Sequence, residues 1–343
     1  MSTGGRSPTV LATDRARLLG LVGALALLGL AAGASVLVGT VTVRPGDVWH
    51  AYRGWTGTDT DLVVVHLRVP RTITGLLVGV ALGLAGTVIQ GATRNPLADP
   101  SILGISAGAA LGSVTGITVF GVTSLGGYVW FAFAGAALAG IAVHVLASAG
   151  RIGATPVKLA LSGAAVSVFL GSVTAGAGII DVDLHDRFRF WSVGSLGLAD
   201  REVTTQLAPF VVAGVVLAVV SGRSLDALAL GEDVARSLGQ RVALARTVAA
   251  TSVVLLAGAA TAAVGPVAFV GLTAPHAARI LVGPGHRWVL PWAAVLAAVL
   301  VLGADVVGRV VVQPRELQVG LVTAAFGAPW FVALVRRRRL AQL

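Results

Sequence analysis

The chain has 343 residues, of which 56% are hydrophobic and only 12% are charged. Because a soluble domain usually carries roughly 25% charged residues, this composition excludes an ordinary soluble enzyme and indicates a surface that mostly faces lipid. Cysteine is absent, which excludes disulfides, thiol catalysis and cysteine-ligated zinc or iron–sulfur centres. The net charge of +10 lies mainly in loops, so we expect no nucleic-acid partner.

Apolar segments of roughly membrane-spanning length, about 20 residues, recur along the chain. They predict an all-α, polytopic membrane protein of about ten transmembrane helices, with residues 1–343 forming one domain. The first segment has a signal-peptide-like end at Ala32-Gly33-Ala34 but continues to about Val41, so we expect a retained helix. In chain order the segments are 18–41, 71–92, 101–120, 127–149, 157–179, 204–221, 243–264, 266–282, 289–308 and 318–335.

The basic residues predict the orientation of these helices. Arginine and lysine are retained on the cytoplasmic side of a membrane. With the N-terminus inside, sixteen of them lie on the inner side and nine on the outer side, whereas most acidic residues lie outside. We therefore expect a prokaryotic cytoplasmic membrane, with cytoplasmic tails at 1–17 and 336–343 and a cytoplasmic loop at 222–242.

Glycine recurs at every fourth position in two of the predicted helices. In lipid, such spacing lets helix backbones approach closely and drives their association. We therefore predict tight helix packing along these faces, with a substrate path as the alternative. The repeats are Gly75, Gly79 and Gly83, and Gly104, Gly108, Gly112 and Gly116.

Patterns that suggest catalysis lack the context that catalysis requires. The run from Gly104 to Gly108 has the G-x-S-x-G spacing of a nucleophile elbow but opens an apolar helix. The histidines show no metal-binding spacing, and the single lysine, Lys158, follows no glycine-rich phosphate loop. We expect no catalytic residue, no metal site and no bound cofactor. Any ATP and Mg would lie on a partner subunit.

The inner loop 222–242 contains a short predicted helix. Its first residues are acidic, as the positive end of a helix favours, and a glycine stands where a C-terminal cap is expected. An apolar stripe on so short a helix needs packing to persist, which predicts docking into a partner's groove. A helix lying on the membrane surface is the alternative. The residues concerned are Gly231, Glu232, Asp233, Val234, Ala235, Arg236, Leu238 and Gly239.

Short motifs spread from about residue 40 to 336 occur in a specific order. They are Leu67–Thr72 with Gly75 and Gly79, Asn95–Pro100, Leu103–Gly108, Ala229–Gly239, Gly265-Pro266, Phe269–Leu272, Pro275-His276, Gly303–Asp305 with Arg309, Glu316–Gly320, Thr323 and Gly327–Pro329. In combination they resemble permeases of the iron–siderophore, haem and cobalamin import family of ABC transporters. The resemblance covers nearly the whole chain.

The resemblance implies a type II ABC importer permease architecture. Such a permease works as a dimer, with a second copy or a related paralogue, above two cytoplasmic ATP-binding subunits. A soluble extracytoplasmic substrate-binding protein delivers the cargo. The segment 231–239 would couple the chain to the ATPase, and ATP hydrolysis would belong to that separate subunit, so the chain itself is not an enzyme.

The resemblance also assigns residues to docking and to the translocation path. Contact with carboxylates of the binding protein is implied for Arg68, Arg71 and Arg309. The alternative is anchoring at the membrane interface, with Arg309 paired to Asp305 one turn earlier. The resemblance also implies a translocation path along the fifth helix, with an inner gate near Arg151 to Pro156. The residues that would line this path are Ser162, Gly163, Ser167 and Ser172. The alternative role for these residues is close packing of helices.

Together these features predict a permease that imports an iron chelate, with a ferric siderophore as the expected cargo. Haem or cobalamin import by the same mechanism is the alternative. A secondary transporter driven by an ion gradient is a more distant alternative, because it would need acidic residues within the membrane or inverted repeats with broken helices. The candidate acid, Asp305, lies near a helix end.

Overall fold

The computed structural model describes residues 10–101, 104–122, 124–149, 156–180, 193–197, 199–313 and 315–336. Helices and their connecting loops make up this part of the chain. A π-helical turn, Val63–Arg68, joins α3 to α4. The helices are α1 (Asp14–Leu37), α2 (Pro45–Arg53), α3 (Asp59–Leu62), α4 (Val69–Thr93), α5 (Ile105–Thr118), α6 (Leu125–Ser148), α7 (Pro156–Ile180), α8 (Arg201–Ala229), α9 (Glu232–Ser237), α10 (Val242–Val264), α11 (Val270–Val282), α12 (His286–Val311) and α13 (Val319–Arg336).

Each of the ten predicted apolar segments corresponds to a helix, so the all-α prediction is confirmed. Seven helical stretches in the described residues are long and apolar enough to cross a membrane. Helices α5 and α11 are shorter, with 14 and 13 residues, which is about 20 Å at about 1.5 Å per residue. Non-helical chain precedes each of them, at 95–101 and 265–269.

Helix α4 lies at the centre and packs against α8, α10, α11 and α12. A Cβ added at Gly79 would lie 2.4 Å from Cα of Ala298, and one at Gly83 would lie 2.5 Å from the carbonyl oxygen of Ala293. In α5, a Cβ at Gly108 would lie 2.2 Å from the carbonyl oxygen of Gly135. The glycine repeats therefore pack helix backbones together, as predicted.

The connections between helices divide between two ends of the molecule. The end of α4, the start of α12 and helix α9 lie together at the end that the charge distribution assigns to the cytoplasm, here the inner end. The end of α1, the start of α4 and the end of α12 meet at the opposite, outer end. Charged residues from distant parts of the chain are thereby brought together at each end.

Candidate functional sites

The coupling segment, residues 231–239, follows α8 after a single residue. Gly231 has φ of +109° and Gly239 has φ of +79°, backbone conformations that glycine adopts without steric cost. At the C-terminal end, the N–H of Gly239 donates to the carbonyl of Arg236 at 2.9 Å, and the N–H of Gln240 donates to the carbonyl of Ala235 at 3.0 Å. The predicted start at Glu232 and the predicted glycine cap are both confirmed.

Ion pairs hold the coupling segment on its exposed side. The guanidinium group of Arg236 lies 3.0 Å from the carboxylate of Glu232 and 3.1 Å from that of Asp233. Arg246, on α10, also pairs with Glu232. Glu232 therefore links the segment to the following helix, whereas Asp233 is 99% exposed and available to a partner.

The apolar stripe predicted on this segment divides between two environments. Ala235 is fully buried, while Val234 is 44% exposed and Leu238 is 62% exposed. Leu230, just before the segment, is 64% exposed. One apolar residue thus packs the segment onto the protein, and three offer an apolar surface of the kind that a docking helix presents.

At the outer end, five charged residues form a second site, the outer arginine cluster. Arg309 is 1% exposed; it donates to the carbonyl oxygens of Ser35 at 2.9 Å and Val38 at 3.0 Å. Its ion pair with Asp305, at 2.9 Å, is the one-turn pair that its spacing suggested. The members of the cluster are Arg68, Arg71, Asp305, Arg309 and Glu316.

Asp305 is shared between two arginines. Arg71 approaches it at 2.7 Å, and Arg71 also lies 2.7 Å from Glu316. The side chains of Asp305 and Arg71 are 1% and 13% exposed, whereas that of Glu316 is 35% exposed. The buried carboxylate of Asp305 thus joins α12 to α4, and Arg71 joins both to the chain just before α13. Two cationic partners compensate the burial of this carboxylate, as buried charges require.

Arg68 lies beside this cluster and lines an outer cleft of about 310 Å³ with Arg71 and Glu316. Its guanidinium group donates to the carbonyl oxygens of Val38 and Val41, the latter at 3.1 Å, and only 6% of the residue is exposed.

These contacts bear on the docking role implied for three arginines. In this conformation the guanidinium group of Arg309 is satisfied within the chain and offers no surface to another protein. Arg68 and Arg71 reach only the cleft, where Glu316 is the most exposed charged group of the cluster. The burial of Arg309 favours the alternative, an intramolecular ion pair, because its acceptors come from α1 and α12.

The residues of the implied translocation path do not form one continuous exposed surface. On α7, Ser172 is exposed, Ser162 and Ser167 are partly buried, and Gly163 is buried. The hydroxyl of Ser172 donates to the carbonyl of Val168 at 2.9 Å. Helix α7 packs on α5 and α6, and the burial of Gly163 is compatible with the close-packing alternative. The implied gate residues 151–155 lie outside the described residues, and Pro156 begins α7.

The structure also joins charged residues that the sequence did not pair. At the inner end, the carboxylate of Asp226 accepts a hydrogen bond from Nδ1 of His286 at 2.7 Å. Arg279, 3% exposed, donates to the side-chain oxygen of Gln90. These partners are 60 and 189 residues apart, and a single sequence carries no signal for pairs at such separations.

Comparison with known proteins gives a consistent result along nearly the whole chain. The FecCD transport family model matches residues 25–337. The chain is 42% identical to the ferric enterobactin transport system permease protein FepD of Escherichia coli (strain K12), over 94% of the chain and 96% of that protein. It is 34% identical to the hemin transport system permease protein HmuU of Yersinia pestis, over 92% and 94%.

A solved structure supports the same relationship. A metal-chelate type ABC transporter in an inward-facing conformation aligns with a TM-score of 0.75 at 28% identity, over 93% of this chain and 99% of that one. The fold and the sequence similarity therefore both support the expected all-α permease architecture. The chain belongs to the FecCD transport family.

Proposed function

We propose that the chain is the membrane-spanning permease subunit of an ATP-driven importer that carries a ferric siderophore into the cytoplasm. The observation that carries this proposal is the identity of 42% to a ferric enterobactin permease over nearly the full length of both proteins. A siderophore transport permease of Bacillus subtilis, YfiZ, at 38% identity, points to the same class of cargo.

The coupling segment supports the division of labour in this proposal. Its exposed Val234 and Leu238, together with the exposed carboxylate of Asp233, suit a groove on a cytoplasmic ATP-binding subunit. Hydrolysis then occurs on that subunit, and the chain responds by changing between outward-open and inward-open states. Two such subunits would serve a pair of permease chains, either two copies or this chain with a paralogue.

A soluble extracytoplasmic binding protein would deliver the chelate to the outer face. We propose that this protein docks at the outer cleft, whose walls include Arg68, Arg71 and Glu316. Contact with Arg71 would require Glu316 to give up its present partner. The membrane is a prokaryotic cytoplasmic membrane, with both termini on its inner side.

Transport assays with defined cargo test the proposal. The permease, together with its ATPase and binding protein, would be placed in proteoliposomes and supplied with radiolabelled ferric catecholate, ferric hydroxamate, ferric citrate, haem or cobalamin. We expect ATP-dependent accumulation of a ferric siderophore. Accumulation of haem or cobalamin alone would instead support the alternative cargo. Two similar permeases are named for cobalamin import and for hemin transport.

An ionophore separates the remaining alternative. Collapse of the proton gradient with ATP maintained should leave uptake unchanged in an ATP-driven importer, whereas a secondary transporter would stop. Uptake that persisted in the absence of the ATPase would contradict the proposed function.

A further inference from the structure

We propose that the contact between Asp226 and His286 links the coupling segment to α12. Through α12, a displacement of the coupling segment reaches the outer arginine cluster. This inference rests on the proposed function, since it assigns the route by which the ATPase acts on the permease. It concerns two residues that neither the sequence motifs nor the comparisons assign to a role.

The coupling segment is packed onto the end of α8. Helix α8 has 29 residues, about 43 Å at about 1.5 Å per residue, and so exceeds the roughly 30 Å hydrocarbon core of a bilayer. Ala235 packs in the same buried cluster as Leu225 and Leu228 of α8. Ser224 also donates to the side-chain oxygen of Gln240 at 3.0 Å. A force on the coupling segment therefore reaches the last turns of α8.

Asp226, in those last turns, holds the start of α12. One carboxylate oxygen accepts both the backbone N–H of His286 at 2.9 Å and Nδ1 of its ring at 2.7 Å. Because a carboxylate only accepts, the proton of that ring contact lies on Nδ1. His286 is the first residue of α12, where Gly285 supplies no side-chain cap. Asp226 thus places a negative charge at the positive end of α12.

His286 is buried between α4 and α8. The residue is 2% exposed. A Cβ added at Gly91 of α4 would lie 2.6 Å from its Nε2, and one at Gly222 of α8 would lie 3.8 Å from its Cβ. Since packed interiors transmit strain, a shift of the end of α8 has to move the start of α12 with it.

Helix α12 connects this contact to the opposite end of the molecule. It has 26 residues, a length of about 39 Å, and its outer end carries Asp305, which holds Arg71 of α4. Rigid helices with discrete packing arrangements are a physical route for coupling between distant sites. Asp226 and His286 are therefore positioning residues, which act on the outer cleft through α12.

The number of cargo molecules moved per ATP hydrolysed distinguishes this role from simple support of the fold. Uptake of the ferric siderophore and hydrolysis would be measured in the same proteoliposomes containing the complete transporter. In Asp226→Ala, which removes both hydrogen bonds, we expect hydrolysis near the unaltered rate and uptake per ATP lower by about tenfold. Asp226→Asn retains an oxygen acceptor and should restore most of the loss.

A matched control changes another interaction at the same end. Thr93→Ala removes the hydrogen bond from the Thr93 hydroxyl to the carbonyl of Ile89 within α4 and leaves the contact between Asp226 and His286 in place, so we expect an unaltered ratio. If Asp226→Ala fails to reach the membrane, His286→Ala serves instead, because it removes the hydrogen bond and the packing of the ring while Asp226 can still accept the backbone N–H. An unaltered ratio in both variants, or equal losses of hydrolysis and uptake, would overturn the link.

A distance measurement tests the rigid connection directly. The chain contains no cysteine, so spin labels at Ser237→Cys and Val311→Cys, both exposed sites, report one pair when one permease chain of the transporter carries them. In the otherwise unaltered protein we expect one narrow distribution of the distance between the two labels, the same in the nucleotide-free and nucleotide-bound transporter. In Asp226→Ala we expect this distribution to broaden. A broad distribution in the unaltered protein would refute the inference. Absence of ATP-dependent uptake in the unaltered transporter would instead refute the proposed function, and the inference with it.

Discussion

The outer arginine cluster and the coupling segment contain similar ion pairs in opposite surroundings. Arg309 lies 2.9 Å from Asp305 with both side chains 1% exposed, whereas Arg236 lies 3.0 Å from Glu232 with side chains 58% and 34% exposed. Both are spaced one turn apart on a helix. The separation of the charges is therefore nearly the same, and access of water is what differs.

This difference determines what each region can do. In the cluster, loss of one partner leaves a charge buried and unpaired, so the pairs constrain how α1, α4 and α12 meet. On the coupling segment, water and ions compensate for a missing partner, so exposed pairs contribute little to stability. The outer end is thus built to hold its helices in place, and the coupling segment can exchange its pairs for those of another protein.

Replacing Arg309 should have the largest effect on stability. Arg309→Met leaves Asp305 with one cationic partner and leaves the carbonyl groups of Ser35 and Val38 without this donor. We expect a loss of about 3 kcal/mol in the free energy of unfolding, measured by thermal or denaturant unfolding in detergent. The free energy of unfolding of Arg309→Lys should lie between those of the unaltered protein and Arg309→Met, because lysine retains the charge but not the planar set of donors. An unchanged midpoint for Arg309→Met would contradict the role assigned to burial.

Glu316 offers an intermediate case within the same cluster. Its carboxylate lies 2.7 Å from Arg71 but its side chain is 35% exposed. Glu316→Gln should cost about 1 kcal/mol, since a charge-assisted hydrogen bond is partly replaced by water. The same unfolding measurement checks this value. A loss as large as that of Arg309→Met would mean that the cleft excludes water more fully than its exposure indicates.

Local patterns in the sequence were sufficient for the apolar helices and for the coupling segment, but they did not predict α2, α3 or the π-helical turn before α4. Apolar runs predicted the positions of ten helices, of which α5 and α11 are shorter than expected. Acidic and glycine residues at fixed offsets predicted both ends of α9, because helix caps depend on neighbouring residues. The pair of Asp305 and Arg309 was accessible for the same reason, since residues one turn apart face each other on a helix.

Contacts between distant segments were beyond the reach of the sequence. The burial of Arg309 depends on Ser35, 274 residues away, and the second partner of Asp305, Arg71, is 234 residues away. Glycine spacing predicted that helices pack closely but not which helices meet. The packing of α7 likewise decides that Gly163 is buried while Ser172 is exposed, and this cannot be deduced from their small size alone.

Within the coupling segment, Arg236 provides the matched exposed counterpart to Arg309. Arg236→Ala removes two ion pairs of about 3 Å, yet we expect a change of only about 0.5 kcal/mol in the free energy of unfolding. The effect should shrink further at high salt, where exposed charges are screened. Unfolding at low and high ionic strength checks both points, and a large effect that is independent of salt would place this pair in the same class as the outer cluster.

Asp233 should show the smallest effect on stability while strongly affecting transport. Its side chain is 99% exposed and its ion pair is with Arg236, so Asp233→Lys should leave the unfolding midpoint unchanged. If the segment docks into the ATPase, the reversed charge should separate hydrolysis from uptake, because it disrupts the interface with the partner and leaves the fold intact. Uptake and hydrolysis in proteoliposomes, beside the unfolding curve of the same preparation, test this. Normal uptake per ATP would show that Asp233 does not contribute to coupling, whereas a lowered midpoint would show that its exposed ion pair supports the fold after all.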